Sequence, residues 1–308
     1  MNFWYSQAAV ILTGNIDTII YGMFFMQLIK STWIINMDKL LFGISGLPIY
    51  SGLRNMSYAV GIYFLESIGL DAMELLFVRN VNVTDNNKES ILRAKLENNF
   101  YLSAHASHYI NLNADEKEKQ EQSLERIKNA MEGLAKVEGR SLVFHPGYYL
   151  NDSKEETFNT IKENLSKLPY KGIDYRLETT GKGTQFGTLE ELIGLCKEVR
   201  TCKLCIDFSH IHARGNGCLK NYNDFAGILQ NILDQLGRDA LDDLHIHMGG
   251  IQYNEKGERN HIRLFESDFN YVDCLKALKD FKVKGCVISE GPVVEKDALL
   301  LKNAYKQL

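Results

Sequence analysis

The sequence predicts an α/β fold: a (β/α)8 TIM barrel with an N-terminal extension that stands outside the barrel. Two observations carry that expectation. From residue 37 onward, short apolar, β-branched or aromatic runs recur at 40–45, 73–78, 101–105, 141–145, 174–178, 204–208, 243–247 and 285–289, each of strand length. Segments of helical periodicity separate them, and eight strand–helix pairs fit between residues 37 and 308 at about 34 residues each, the size of a β/α module. A doubly wound open sheet alternates in the same way, but its phosphate fingerprint is missing after the first strand, where Gly43-Ile-Ser-Gly46-Leu-Pro is a poor match.

Taken in order, the elements begin with residues 1–36, which hold two charges, Asp17 and Lys30, among many aromatic and aliphatic side chains. The basic opening of a secretory signal is missing, and the 12 uncharged residues between those charges are few for a membrane span. Met37-Asp38-Lys39 reads as a natural start before the first strand. The functional domain is therefore expected over 37–308, with residues 1–36 upstream of it as an overextended translation start; a membrane anchor is the competing reading. Further on, helical spacing covers Gln120 to Val137, Thr188 to Val199, Tyr222 to Leu236 and Tyr271 to Phe281. Thr188 with Glu191 three residues later has the pattern of a capping box. Cys202 and Cys205 form a C-x-x-C, but on a strand residues three apart face opposite sides, so the pair reads as core filling.

A chain that is 45% apolar and 24% charged, with a net charge of -4, is neither disordered nor a collagen-like repeat nor a disulfide scaffold. Past residue 37 no apolar run approaches the roughly 18–20 residues of a spanning helix, so no membrane partner is expected for the barrel. Slight acidity argues against diffuse nucleic-acid binding and leaves room for a local basic rim. Six cysteines, all between 196 and 286, fit reduced thiols and a cytoplasmic location.

Eight histidines lie between 105 and 261, and their places within the units are the informative feature. Successive apolar runs end in His105, His145, Glu178, Asp207, His247 and Glu290, each roughly one β/α unit from the last. In a parallel barrel the C-terminal strand ends share one rim, so these six side chains converge. All are imidazoles or carboxylates, the donors that borderline dications such as Zn2+ or Mn2+ prefer. Crowded carboxylates repel unless cations lie between them, which points to a multinuclear metal site. A single buried histidine is more often a hydrogen-bonded core residue, and Glu178 alone could pair with Arg176; the coincidence of six strand ends is what favours metal. His210, three residues past Asp207, could serve a neighbouring cation. His212 reads as a loop residue facing substrate or solvent. His245 shares a strand face with His247, which is nearer the rim and the better ligand. Glu258 and His261 fall in a long polar loop after that strand and offer another carboxylate and imidazole. Glu74, inside the second strand, has no assigned role.

The strings that carry these residues resemble signature segments of the endonuclease IV family. They are Ser103-Ala-His105-Ala-Ser-His108-Tyr-Ile-Asn111, Phe144-His145-Pro-Gly147, Leu177-Glu178-Thr-Thr-Gly181-Lys-Gly183, Cys205-Ile-Asp207-Phe-Ser-His210, Leu244-His-Ile-His247 and Ile288-Ser-Glu290-Gly-Pro292. They follow family order from about residue 38 to 300. The resemblance implies a TIM barrel with three zinc ions that cleaves DNA on the 5′ side of abasic sites, its partner being double-stranded DNA. Carried over by motif, His105, His145 and a bridging Glu178 hold the first zinc; Glu178, Asp207, His247 and Glu290 hold the second. His210 and His261 hold the third with an acidic residue. The family's common aspartate two residues before the last histidine is Arg259 here, so Glu258 is the nearest substitute. The loop after Glu178 is one residue shorter than the common form, and His108-Tyr109 replace the pair that resembles a DNA wedge.

The implied reaction is metal-assisted phosphodiester hydrolysis, with Glu178 and Glu290 as the residues on which catalysis depends. Arg79, Lys182, Arg214 and Arg259 are the rim cations expected to meet the DNA backbone, and His108 and Tyr109 the groups expected to stack on or enter the duplex. A sugar isomerase or epimerase on the same kind of barrel is the main rival; it needs one or two metals and about four ligands, whereas this chain offers eight or nine. A non-catalytic protein that keeps the site is the second rival. A monomer is expected, since no coiled coil or exposed apolar helix argues for an oligomer.

Overall fold

A computed structural model describes residues 38–49, 52 and 56–308; the expected extension, residues 1–36, lies outside the described residues. Eight parallel strands close into a barrel. They are β1 (Leu40–Ser45), β2 (Ala72–Leu76), β3 (Tyr101–His105), β4 (Ser141–Phe144), β5 (Asp174–Glu178), β6 (Cys202–Asp207), β7 (Leu244–Met248) and β8 (Gly285–Ser289). Each pairs with its sequence neighbour, and β1 pairs with β8 as well as β2, Leu41 opposite Cys286 and Ile44 opposite Met73. The expected runs and the strands coincide within a few residues. β2 stops at Leu76, two residues short of the apolar run, and β6 starts two residues earlier, at Cys202.

Helices wrap the outside in chain order: α1 (Tyr58–Ser67), α2 (Lys88–Glu97), α3 (Lys117–Ala135), α4 (Lys154–Ser166), α5 (Leu189–Glu198), α6 (Phe208–Arg214), α7 (Tyr222–Leu236), α8 (Arg238–Asp242), α9 (Tyr271–Asp280) and α10 (Glu295–Gln307). Their starts follow from the residues that cap them. Thr188 accepts from the Glu191 N–H while the Glu191 carboxylate accepts from the Thr188 N–H, as the spacing predicted. Ser153 with Glu156 repeats the device on α4 and Asn221 with Asp224 on α7.

Apolar strand and helix faces pack into one continuous core, from Phe42 and Ile62 to Leu278 and Leu301. The bore of the barrel is more polar than a typical one, whose layers are branched aliphatics. Glu74, Ser103, Ser141, Arg176 and His245 are all buried. Arg176 does not pair with Glu178. Its guanidinium donates to the Asp243 carbonyl at 2.6 Å, pairs with the Asp243 carboxylate at 2.9 Å and lies 3.7 Å from Asp174, toward the N-terminal end of the strands. Cys205 shares a cluster with His245 and His247, while Cys202 is a separate buried free thiol, so the C-x-x-C is no disulfide. Among the described residues, no helix is long and apolar enough to cross a membrane.

Candidate metal centre

At the C-terminal rim the strand ends bring the expected residues together. His105 closes β3, Glu178 closes β5, Asp207 closes β6, and His145 and Glu290 are the first residues after β4 and β8. His247 lies one residue inside the end of β7 and is fully buried beneath the others. Glu178 is the hub. Its Oε2 lies 3.0 Å from His105 Nε2 and 2.8 Å from His145 Nε2, while its Oε1 lies 3.0 Å from His247 Nδ1 and 3.3 Å from His210 Nδ1. Among the described residues the ligand-type atoms form overlapping groups: His105, His145 and Glu178; Glu178, Asp207, His247 and Glu290; and Asp207, His210, His261 and Glu290.

Local structure aims these groups. His105 Nδ1–H donates to the Ala106 carbonyl at 2.8 Å, which leaves Nε2 free to face the cluster. Asp207 ends β6 and caps α6, accepting from the His210 N–H at 2.8 Å. His210 is thereby held in the first turn of a helix that starts directly from a barrel strand, where its Nδ1–H reaches the Thr179 carbonyl at 2.9 Å.

Glu258 and His261 do not lie in a loop, as the sequence suggested, but in an antiparallel hairpin, Gly250–Asn254 with Gly257–Ile262. The register skips Arg259: Gln252 faces Asn260 and Tyr253 faces Glu258. This one-residue bulge puts Glu258 and His261 on the inward side and leaves Arg259 and Asn260 exposed. Glu258 Oε2 stands 3.7 Å from His210 Nε2. The hairpin is tied to the loop after β5 by the Glu258 N–H donating to the Gly181 carbonyl. A Cβ on Gly181 would come within 2.7 Å of Glu258, so glycine is required there.

The electrostatics state what the site needs. Burial would raise Glu178, yet the imidazoles around it, His145 and His247 foremost, hold it well below the usual carboxylate range. Burial works against charge on His105 too, but the Glu178 carboxylate raises it to about 9. His210 and His247 are likewise raised, each against its own burial, by Asp207 and Glu178 for the first and by Cys205 and Glu290 foremost for the second. In the metal-free chain protons on imidazoles supply positive charge that the carboxylates demand. Asp207 Oδ2 and His261 Nδ1 are buried with no hydrogen-bond partner, and such orphaned groups call for a ligand. Nitrogen and oxygen donors in this ratio fit Zn2+ or Mn2+.

Above the cluster lies a cleft of about 510 Å3, lined by the metal-type residues other than the deeper Asp207 and His247, together with His108, Tyr148, Lys182 and Gln185. A neighbouring cleft of about 640 Å3 shares Leu76, Val78 and His108 and adds Arg79 and Tyr109. Of the expected backbone contacts, Lys182 and Arg79 are exposed and line these two clefts, whereas Arg259, also exposed, lines neither. Arg214 is not placed to meet a phosphate. Its Nη1 donates to Thr180 Oγ1 at 2.7 Å and to the carbonyls of Lys182 and Gln185 at 2.8 and 2.9 Å, so it braces the loop that carries Lys182. His212 is no loop residue; it is buried in α6, 3.2 Å from Asp268 and accepting from the Leu219 N–H. Sequence reasoning left Glu74 unassigned, yet it sits fully buried beneath the cluster against His245 and His247.

Residues 62–306 match the family described as Xylose isomerase-like TIM barrel. The chain belongs to that family. Within these xylose isomerase-like barrels it is a divergent member, with distant similarity to endonuclease 4 proteins. It is 45% identical over 275 residues to an uncharacterized protein of Methanocaldococcus jannaschii, covering 87% of this chain and 98% of that one. It is 27% identical over 217 residues to a protein of Bacillus subtilis named probable endonuclease 4, covering 67% of this chain and 71% of the relative. Two solved family structures share its fold equally well. Endonuclease IV from Thermus thermophilus gives a TM-score of 0.65 at 18% identity, covering 87% of this chain and 100% of that one. A D-tagatose 3-epimerase-like protein also gives 0.65, at 22% identity, with 87% and 96% covered.

Proposed function

We propose that this barrel is a zinc-dependent DNA repair endonuclease that hydrolyses the phosphodiester on the 5′ side of abasic sites in double-stranded DNA. The observation that carries the proposal is the size of the donor set. Eight imidazoles and carboxylates (His105, His145, Glu178, Asp207, His210, His247, His261 and Glu290) fall into overlapping groups, Glu258 stands beside His210, and seven of the nine line one cleft, a set large enough for three cations and about twice what an isomerase-type site uses. The similarity to probable endonuclease 4 of Bacillus subtilis supports the same reading, while the shared barrel geometry is neutral between nuclease and epimerase.

Bound among these residues, divalent cations supply Lewis acidity toward phosphate oxygens and an activated water near neutral pH. The chain's own groups do the rest. Glu178 presents one oxygen to the His105–His145 side and the other to the His247–His210 side, so it is the group that bridges. His210 and His261, with Glu258 beside His210, would hold a third cation, and such a cation would supply neutralisation of charge on the leaving 3′ oxygen. Lys182 lines the cleft and Arg79 the adjoining one, positions suited to phosphates on either side of the lesion. His108 and Tyr109 flank the passage between the two clefts, where exposed rings can stack on unpaired bases. An abasic nucleotide lacks stacking and pairing, so turning it into the pocket costs less than flipping an intact one.

The test is incision of a duplex carrying one tetrahydrofuran residue. Nicking 5′ to the lesion, abolished by chelator and restored by Zn2+ or Mn2+, is the expected result. Glu290→Gln, folded by circular dichroism, should lose at least about 100-fold in rate. Wild-type rates in that variant would refute the metal role, and a single metal per chain with turnover of a ketose would replace the nuclease by an epimerase.

A further inference from the structure

Glu74 is an acid in the middle of β2 and is fully buried. A buried carboxylate persists only where donors surround it, and here Oε2 is satisfied: Ser103 Oγ–H donates at 3.0 Å and His245 Nε2 lies 2.9 Å away. Oε1 has no hydrogen-bond partner, and the atom facing it, 3.1 Å away, is His247 Nε2, itself buried without one, so the two orphaned atoms are left to each other. Ser103 is the direct register partner of Glu74 on β3, and the two histidines come from β7 across the bore. His247 thus spans two environments. Its Nε2 faces Glu74 below, and its Nδ1 faces Glu178 at 3.0 Å and Glu290 at 3.5 Å above.

We infer that Glu74 is a positioning residue for His247: it accepts the Nε2–H proton and so keeps the Nδ1 lone pair aimed at the rim cluster. The chemistry follows from the two ring nitrogens. A neutral imidazole carries one proton, and an acceptor-only carboxylate at Nε2 draws it there. The ring is then fixed in both tautomer and rotation, and the negative charge beneath it makes Nδ1 a stronger donor. His245 is the lateral support. Its Nε2–H holds the other Glu74 oxygen, while its Nδ1 lies 3.2 Å from Cys286 Sγ and 3.5 Å from Tyr101 Oη, both capable of donating to it. The consequence for cation binding rests on the metal reading proposed above.

Two measurements test this. Zinc affinities come from competition with a chromogenic chelator, for wild type, Glu74→Gln and Glu74→Asp. The His247 tautomer comes from 15N NMR of histidine-labelled protein, zinc-loaded and also chelated at alkaline pH, its signal assigned by loss in His247→Asn. A glutamine amide sets an N–H against an imidazole N–H, which pushes the proton to Nδ1, where a cation must bind. The expected result is Nε2–H in wild type, with binding of one cation weakened about 10- to 100-fold in Glu74→Gln, the His105–His145 position retained, and partial rescue by aspartate. Wild-type affinity in Glu74→Gln, or an Nδ1–H tautomer in wild type, overturns the inference; the second reading does not require any Glu74 variant to fold. A wild-type chain that takes up no cation, yet keeps an Nε2–H that Glu74→Gln removes, upholds the orienting contact and sinks the metal reading instead.

Discussion

Each oxygen of Glu178 faces two imidazoles, and without cations His105, His210 and His247 meet its charge with their own protons. That has a direction in pH. His105 is raised from 6.5 to about 9, so its contribution to stability is complete below pH 6.5 and is lost as pH climbs through about 9. Glu178 is depressed below 4.5, so its contribution is present above pH 4.5 and is lost as pH falls through the lower value. Chelated protein should therefore be most stable between about pH 4.5 and 6.5 as far as this cluster decides, and weaken toward pH 9. Zinc replaces the protons and should abolish that alkaline decline. Urea midpoints at acid and alkaline pH, with and without chelator, read this out; the same alkaline loss in both would contradict it. At this scale the strand-end ligands were legible because each stands at the same place in its own repeat. Glu74 was not, because its partner His245 lies 171 residues away and looked like a spare imidazole beside His247. Each explains the other only once the bore is closed.

The hairpin after β7 shows what an element can do that a motif cannot. Its strand Gly257–Ile262 carries polar, mostly half-exposed residues, so neither alternation nor an apolar run marks it as β, and the sequence read it as a loop. The seven residues of α6 are equally silent, too few to display a helical period, which is why His212 was expected at the surface. The bulge at Arg259 is the decisive detail. In a regular strand Glu258 and His261 would point to opposite faces; the extra residue brings both inward. Deleting Arg259 should restore alternation and turn Glu258 away from His210. The expected outcome is one fewer tightly held zinc by mass spectrometric metal analysis, with the fold kept. Arg259→Ala keeps the residue count and should retain full zinc content, so equal losses in the two variants would refute the geometric account.

Over the whole molecule the two ends of the barrel divide their labour. The C-terminal rim gathers the unpaired and proton-hungry groups, whereas toward the strand starts Arg176, Arg140 and Lys203 close on Asp174 and Asp243. Burial acts against charge on Asp243, but Arg176 and Arg140 outweigh it and bring the carboxyl down to about 2. Arg176→Ala leaves two acids facing a buried gap and should cost about 3–5 kcal/mol in denaturant unfolding, with zinc content and affinity unchanged. Loss of zinc in that variant while it remains folded would show the ends to be coupled. The general plan was readable in the chain because repeat length and strand-end chemistry are linear features; the polar bore was not, because it depends on which side chains face across the closed barrel. That closure has a kinetic corollary. β1 finds one of its two ladder partners only in β8, and Glu290 immediately follows it. On the metal reading, a nascent chain has no finished chelating pocket until residue 290 has emerged from the ribosome, so a dication meets either loose ligands or a completed cage, and little in between.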